Sequence, residues 1–322
     1  MRYFNPANEL NYLSFMNSIN IKKLPVIVLA FNRADKVAEA MKPIRDYKPD
    51  RIYLECDGAR DHKIGEREEV KATRQAMLDA IDWSCEIRTL FRDENLGCAN
   101  AVYDALTWFF QQEEYGIIVE DDVVLAPDFF TMCEILLPMY KNNNHIMHIS
   151  AENHSGIYGS SNSYLFVKRP LVWGWASWAR AWRQMDMKML KWRDFPKLRL
   201  LPYFGIIRTI MYVRDWNKVY SCPEKSSSWA TRWHFALWSN DGFCIAPYVQ
   251  LSKNIGTDGG THFEKGKTDI FERLKIGNLV FPLHHPSVIK LNYKYVWLDT
   301  WDWWRLKLQS LYRKIKKQLN HK

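Results

Sequence analysis

Tyr115 to Phe130 reads YGIIVEDDVVLAPDFF, and the fold turns on how this stretch is read. Gly116 to Val119 carry no side-chain charge and run straight into three consecutive carboxylates, Glu120, Asp121 and Asp122. An uncharged run ending in acids is the pattern of a buried parallel strand that emerges at the carboxyl edge of a sheet, where open α/β folds place their ligands. Three adjacent carboxylates repel one another and cost desolvation energy unless a cation neutralises them. Hard oxygen ligands select Mg²⁺ or Mn²⁺, so a divalent ion with a diphosphate is the natural occupant. A solvated acidic turn without function is the competing reading of these residues alone.

Upstream, strand and helix patterns alternate. Leu24–Phe31 (LPVIVLAF) is a buried-strand run, followed from Asn32-Arg33-Ala34-Asp35 by a helical pattern that Pro43 is expected to limit. Arg51–Cys56 (RIYLEC) is a second strand, closed by Asp57-Gly58. A charged helix around Glu66–Ile81, a third strand at Glu86–Arg92 and a helix from about Cys98 to Gln112 follow. This alternation predicts a mostly parallel, doubly wound sheet with right-handed crossovers. Neither GxxxxGK[ST] nor a GxGxxG after the first strand occurs, so a nucleotide would depend on a metal at the acidic tip, with Arg33 and Asp57 at the ends of neighbouring strands.

With 322 residues the chain can bury a large core. Its net charge of +9 is uneven: from Trp297 to Lys322 seven Lys/Arg face two Asp, a net of +5. The remainder is nearly balanced, which argues against a nucleic-acid binder with a basic face. The six cysteines show neither a CxxC pair nor close spacing with His, so a reducing compartment fits best. Neither a signal-peptide pattern nor an apolar run of about 18 residues is found, and the expectation is a cytoplasmic enzyme. Fifteen Trp and sixteen Tyr supply flat faces suited to sugar rings, to a membrane interface or simply to a core.

The ordered set PVIVLAFNR, ECDG, EDDVVLAPDFF and ISAENHSG resembles GT-A fold glycosyltransferases, most closely the N-acetylglucosaminyltransferase I family and related bacterial sugar-nucleotide transferases. The likeness runs from about Leu24 to Phe263. It implies a GT-A fold, a UDP-sugar donor and Mn²⁺ (or Mg²⁺). Arg33, Asp57 and Asp121 would hold the nucleotide, and Asp122 would be the principal metal ligand. The ion would stabilise charge on departing UDP.

In the second half, Trp175, Trp178 and Trp182 fall on one helical face if Trp173–Trp182 is a helix, a stripe more typical of core than of a sugar platform. The resemblance places Gly174 and Trp175 near the donor pocket. Gly256, Gly259 and Gly260 give Asn254–Gly266 the freedom of a lid. Within it Thr261 matches a phosphate contact and His262 a phosphate or metal contact, an ordinary loop histidine being the alternative. The family's general base is an aspartate two residues before a helix tryptophan, where this chain has Ser227. A serine lacks a suitable pKa, so the base is sought at Glu152, Glu224 or Asp241, with Glu152 slightly favoured for its place at the ligand edge.

Trp297, Trp301, Trp304, Leu308, Leu311, Ile315 and Leu319 recur at helical spacing in the basic tail. The stripe suits either an anionic membrane surface or docking on the catalytic domain. The expected organisation is an arm (1–22), a nucleotide-sugar subdomain (23–150), an acceptor-side subdomain with the lid (151–290) and the tail (291–322). The expected function is transfer of a sugar from a UDP-sugar, UDP-GlcNAc among them, to a saccharide or lipid-linked saccharide in bacterial surface polysaccharide synthesis. Two rivals stand beside it, a non-catalytic carbohydrate or nucleotide-sugar binder and a sugar-1-phosphate nucleotidyltransferase. The second would need a glycine-rich basic loop after the first strand, which FNRADK is not.

Overall fold

The structure is a computed structural model that describes residues 23–153, 161–256 and 275–319. Its first half alternates as the pattern requires. β1 (Val26–Ala30), β2 (Arg51–Cys56), β3 (Glu86–Phe91) and β4 (Tyr115–Glu120) are joined by α1 (Ala34–Tyr47), α2 (Glu66–Asp79) and α3 (Cys98–Phe110). β5 (Val123–Leu125) and α4 (Pro127–Tyr140) lead to β6 (Ile146–Ser150), β7 (Tyr164–Val167) and β8 (Trp175–Trp178). Beyond lie a short α5 (Ala179–Trp182), α6 (Leu201–Ser221), α7 (Trp229–Ser239), β9 (Phe243–Pro247), β10 (Ser252–Asn254) and α8 (Tyr293–Leu319).

One eight-stranded sheet runs in the order β3-β2-β1-β4-β8-β6-β9-β7 and is continuous across residue 150. β1 to β4 are parallel, β8 is antiparallel to both β4 and β6, and β6 therefore runs with β4. All five residues of β1 are buried, which is why the strand reads as a continuous apolar run. A fully buried Val, Leu or Ile side chain there stabilises the fold by roughly 1.5–3 kcal/mol.

Two expectations need correction. Pro43 does not limit α1, which continues to Tyr47. The buried stripe Val37, Ala40, Met41 and Ile44 spans the proline, and packing outweighs one missing helix bond. Trp173–Trp182 is not a helix. Trp175 and Trp178 belong to a strand inserted between β4 and β6, so they point to opposite faces of the sheet. Trp178 donates to the Leu137 carbonyl at 2.9 Å on the α4 side, while Trp175 meets Trp229 and Trp233 of α7 at ring distances of 5.6 and 5.8 Å. Both are fully buried, and their role is core.

Among the described residues no helix is long and apolar enough to cross a membrane. α8 docks through Tyr295 and Asp299, which are buried, while Trp297 and Trp301 are 64% and 60% exposed. The inward face of this helix is thus not the tryptophan stripe.

Candidate active site

The carboxyl ends of β1, β2, β4 and β6 converge on one edge, carrying Arg33, Asp57, Glu120–Asp122 and Glu152. Asp121 is positioned by its own backbone, whose N–H donates to Leu29 O at 2.9 Å, and by the Phe31 N–H, which reaches its Oδ2 at 3.4 Å. Arg33, at the start of α1, spans the acids: it bonds Asp121 Oδ1 through Nη2 and pairs with Asp122 Oδ2 at 3.0 Å through Nη1. Burial alone would lower the Arg33 pKa, and the two carboxylates more than reverse it. The guanidinium is the cation that these acids require in the absence of any other.

Burial pushes the Asp121 carboxyl up to about 6 against the pull of Arg33. Glu120 is held well above the ordinary carboxyl range, first by burial and then by repulsion from Asp122 and Asp121. Glu152 contributes to that repulsion, which places it in the same electrostatic cluster. It is buried, and its Oε2 accepts the Trp173 N–H at 2.8 Å.

Asp57 is buried and fully engaged. Oδ1 accepts the N–H groups of Gly58 and Leu96, both at 3.0 Å, and Oδ2 accepts Gly97 N at 3.1 Å and Asn95 Nδ2 at 3.0 Å. It thereby fixes the loop between β3 and α3 against the site.

A third segment closes on the acids from far along the chain. β10 pairs antiparallel with β5, setting Asn254 opposite Val123. Ile255 N donates to Asp122 O at 2.8 Å, and Asn254 Nδ2 reaches Asp122 Oδ1 at 3.3 Å. Gly256 then lies so close that a Cβ there would overlap Asp122 Oδ2 and stand 3.0 Å from Arg33 Nη1. Gly174, at φ +79°, packs where a Cβ would overlap Leu125 and lie 3.3 Å from Val123, so it seats β8 against the strand that follows the acids. Sequence reasoning put Asn254 and Gly256 in a lid but missed their contacts with Asp122, because 132 residues separate Asn254 from Asp122 and the polar β10, SKN, carries no pattern.

Behind Trp175, His148 stacks on its ring at 5.0 Å. The imidazole Nδ1 accepts from Trp233 Nε1 at 3.2 Å, which leaves Nε2 to donate to Leu171 O at 2.9 Å. Burial pushes its pKa down to about 3. The unfolded chain then takes up a proton near pH 6.5 that the native state refuses, so this contribution to stability is present above pH 6.5 and lost as pH falls toward 3. Between about pH 7.5 and 5.5, urea unfolding should show wild type losing about 1.4 kcal/mol more than His148→Gln. Equal losses would mean that the ring titrates normally.

The other proposed residues separate. Glu224 is exposed in a single 3₁₀ turn, Pro223–Lys225. Asp241 precedes β9 and therefore sits at the opposite edge of the sheet, where it pairs with Arg199. Ser227 is exposed just ahead of α7, whose N-cap is Ser228 accepting Thr231 N at 3.2 Å. Thr261 and His262 lie outside the described residues, as do Gly259 and Gly260.

Among the described residues no three His, Cys, Asp or Glu form a cluster that could hold a metal by themselves. Mg²⁺ and Mn²⁺ sites of phosphate-transfer enzymes need only one or two carboxylates, the rest being substrate oxygens and water. Asp122 meets that requirement, its Oδ2 lying against the side-chain-free backbone of Gly256 and the Arg33 guanidinium.

A Rossmann-like α/β sheet with acids at its carboxyl edge and a continuation through β8, β6 and β9 defines a GT-A-type nucleotide-sugar transferase fold. The chain belongs to the GNT-I family, whose model matches residues 12–189, more than half of its length. No curated protein matches it. Among solved structures it is similar to the inositol-1-phosphate CTP transferase from T. maritima, with 12% identity over 80% of this chain and 98% of that one and a TM-score of 0.34. HddC from Yersinia pseudotuberculosis is also similar, with 12% identity over 45% of this chain and 59% of that one and a TM-score of 0.27. The chain thus spans about three fifths of the length of HddC.

Proposed function

We propose that the chain transfers a sugar from a UDP-sugar, with Mn²⁺ or Mg²⁺, to the hydroxyl of a saccharide acceptor, as a step of bacterial surface polysaccharide synthesis. The observation that carries this reading is the Arg33–Asp121–Asp122 constellation with the Gly256 backbone laid against it, at the ligand edge of a sheet of this family. Asp122 would hold the ion, with His262 as a further ligand. When bound, the ion supplies Lewis-acid stabilisation of the departing diphosphate. Arg33, released from Asp122, is placed to take a diphosphate oxygen, and Thr261 would take another. Asp121 keeps Arg33 at the site, and Asp57 frames the nucleoside pocket through the 95–97 loop. Gly174 would border the donor pocket, with the buried Trp175 supporting it from the core.

Glu152 is the base that placement favours, since it is buried and shares the acidic cluster, whereas Asp241 is on the other edge and Glu224 is exposed in a 3₁₀ turn. Proton removal by Glu152 with direct displacement would invert the anomeric carbon. The exposed tryptophans of α8, in a basic segment, support peripheral attachment to an anionic membrane. One observation favours a second reading: with Ser227 in place of the family's aspartate and Glu152 committed to Trp173 N, a non-catalytic nucleotide-sugar binder is the rival.

The test is a thermal-shift screen of UDP, GDP, CMP and dTDP, with and without Mn²⁺, on wild type and Asp122→Ala. UDP should stabilise wild type only with Mn²⁺, by an amount set by its occupancy, and the variant should lose the shift. Donor turnover then separates enzyme from binder. Absence of any nucleotide shift in wild type would sink both.

A further inference from the structure

Away from the acidic edge, an open groove of about 1240 Å³ runs along α6. It exceeds the roughly 300–1,000 Å³ usual for small-molecule pockets, so it suits a long ligand. Its lining is mainly apolar, with Leu198, Ile206, Ile210 and Val213, and Ile206 and Ile210 are 70% and 61% exposed. Isoleucines so exposed on a helix beside a concave surface call for a hydrocarbon partner. Charge narrows the partner further. The rim carries Lys197, Arg214, Lys218 and Lys225 against a single acid, Asp215, which Arg214 engages at 3.2 Å. Lys218 and Lys225 are exposed and have no ion pair among the described residues, so an anionic head would find two uncommitted ammonium groups.

Ser226 and Thr231, at the entry to α7, also line the groove. Three residues after Ser226, Trp229 stacks on Trp175, and the adjoining Gly174 abuts Val123, the residue after Asp122. A ligand with its hydrocarbon along α6 and its head at Lys218 and Lys225 would therefore point a head-linked sugar toward the side of the sheet that carries the acids. We infer that this groove holds the hydrocarbon chain and phosphate of a lipid-phosphate-linked saccharide acceptor. The inference deepens the transferase reading above and rests on it for the word acceptor. Lipid binding itself does not depend on the donor site, which allows the two to fail separately.

The experiment is titration calorimetry of the full chain with octyl phosphate, decyl phosphate, decanol and inorganic phosphate, all below micelle formation. Each methylene that enters the groove should tighten binding about fourfold, so decyl phosphate should bind about fifteenfold more tightly than octyl phosphate. Decanol and inorganic phosphate should each bind at least tenfold more weakly than decyl phosphate. Ile210→Asp and the pair Lys218→Glu/Lys225→Glu should each weaken decyl phosphate at least tenfold while leaving the UDP–Mn²⁺ thermal shift intact. The lysine pair is exposed and keeps the test sound if Ile210→Asp does not fold.

Equal affinity for decanol and decyl phosphate, or an affinity that both groove variants leave unchanged, overturns the inference. Loss of binding in Trp301→Ala but not in the groove variants moves the lipid to α8 and overturns it too. So does a groove variant that converts a dimer to a monomer while still binding the probe, since the surface would then join copies of the chain. Tight decyl phosphate binding with no UDP shift in wild type would remove the transferase reading and keep the groove as a lipid-phosphate site.

Discussion

Gly256→Ala should lower kcat/KM by at least about a hundredfold with little change in thermal stability. The added methyl has nowhere to go, because it would overlap Asp122 Oδ2, lie 2.9 Å from Asp122 Cγ and stand 3.0 Å from Arg33 Nη1. Either the 254–256 segment moves off the acids or the Asp122 carboxylate rotates away from its place beside Arg33. A displacement of about 1 Å at a reacting or metal-holding group commonly costs on the order of a hundredfold in rate. The backbone at Gly256 is not in the left-handed region, so the damage is local and the fold should survive. The measurement pairs steady-state turnover with thermal unfolding and Mn²⁺-dependent UDP binding. A variant that turns over normally would show that the 254–256 segment stands away from the acids in the working enzyme, and the constellation proposed as the site would have to be redrawn.

This contact also marks where sequence reasoning stops. β2 was readable to the residue, Arg51–Cys56, because Asp57-Gly58 closes it with turn chemistry. The acidic triplet was readable because the uncharged run Gly116–Val119 marks the buried part of the strand, and the acids begin at its last residue, Glu120. β8 was not readable. Trp175 and Trp178 of β8 continue to Trp182 of α5 at steps of three and four, the spacing of a helix, while burial on both faces of the sheet erases the alternation that would have marked a strand. Arg33 and Asp121 were each assigned to the nucleotide from resemblance, yet here they hold one another, and nothing local in FNRADK or EDDV announces a pair 88 residues apart. Pairings of this kind are tertiary facts: the strands' own patterns bring the residues to the same edge, and only the assembled sheet decides which charges meet.

The same limit explains α8 and leads to the second large effect. Amphipathic spacing would turn the tryptophan stripe inward, but Asp299, on the other face, is drawn in by Arg169 and Arg208, 130 and 91 residues away. Arg208 donates through Nη2 to Asp299 Oδ2 at 2.9 Å and through Nη1 to Thr300 Oγ1 at 2.9 Å, and its guanidinium lies 5.3 Å from the Phe204 ring and 5.5 Å from that of Trp303. Burial alone would push the Asp299 carboxyl up, and the two guanidiniums outweigh it and hold it below the ordinary carboxylate range. Asp299→Ala should therefore destabilise the protein by about 3–5 kcal/mol, because the Arg208 side chain, only 2% exposed, is left charged and without its anion. The corresponding fall in Tm is about 5 °C. Arg169, with 35% of its side chain exposed, can turn to water and should add little to that cost. The double variant Asp299→Leu/Arg208→Met removes both buried charges and should recover most of the loss, since apolar groups of similar size often replace a buried ion pair without penalty. Urea unfolding of the two variants decides the matter. A loss below about 1 kcal/mol in Asp299→Ala would mean that α8 is not held to α6 by this cluster. Failure of the double variant to recover would mean that the tail depends on the polar geometry itself rather than on avoiding an unpaired buried charge.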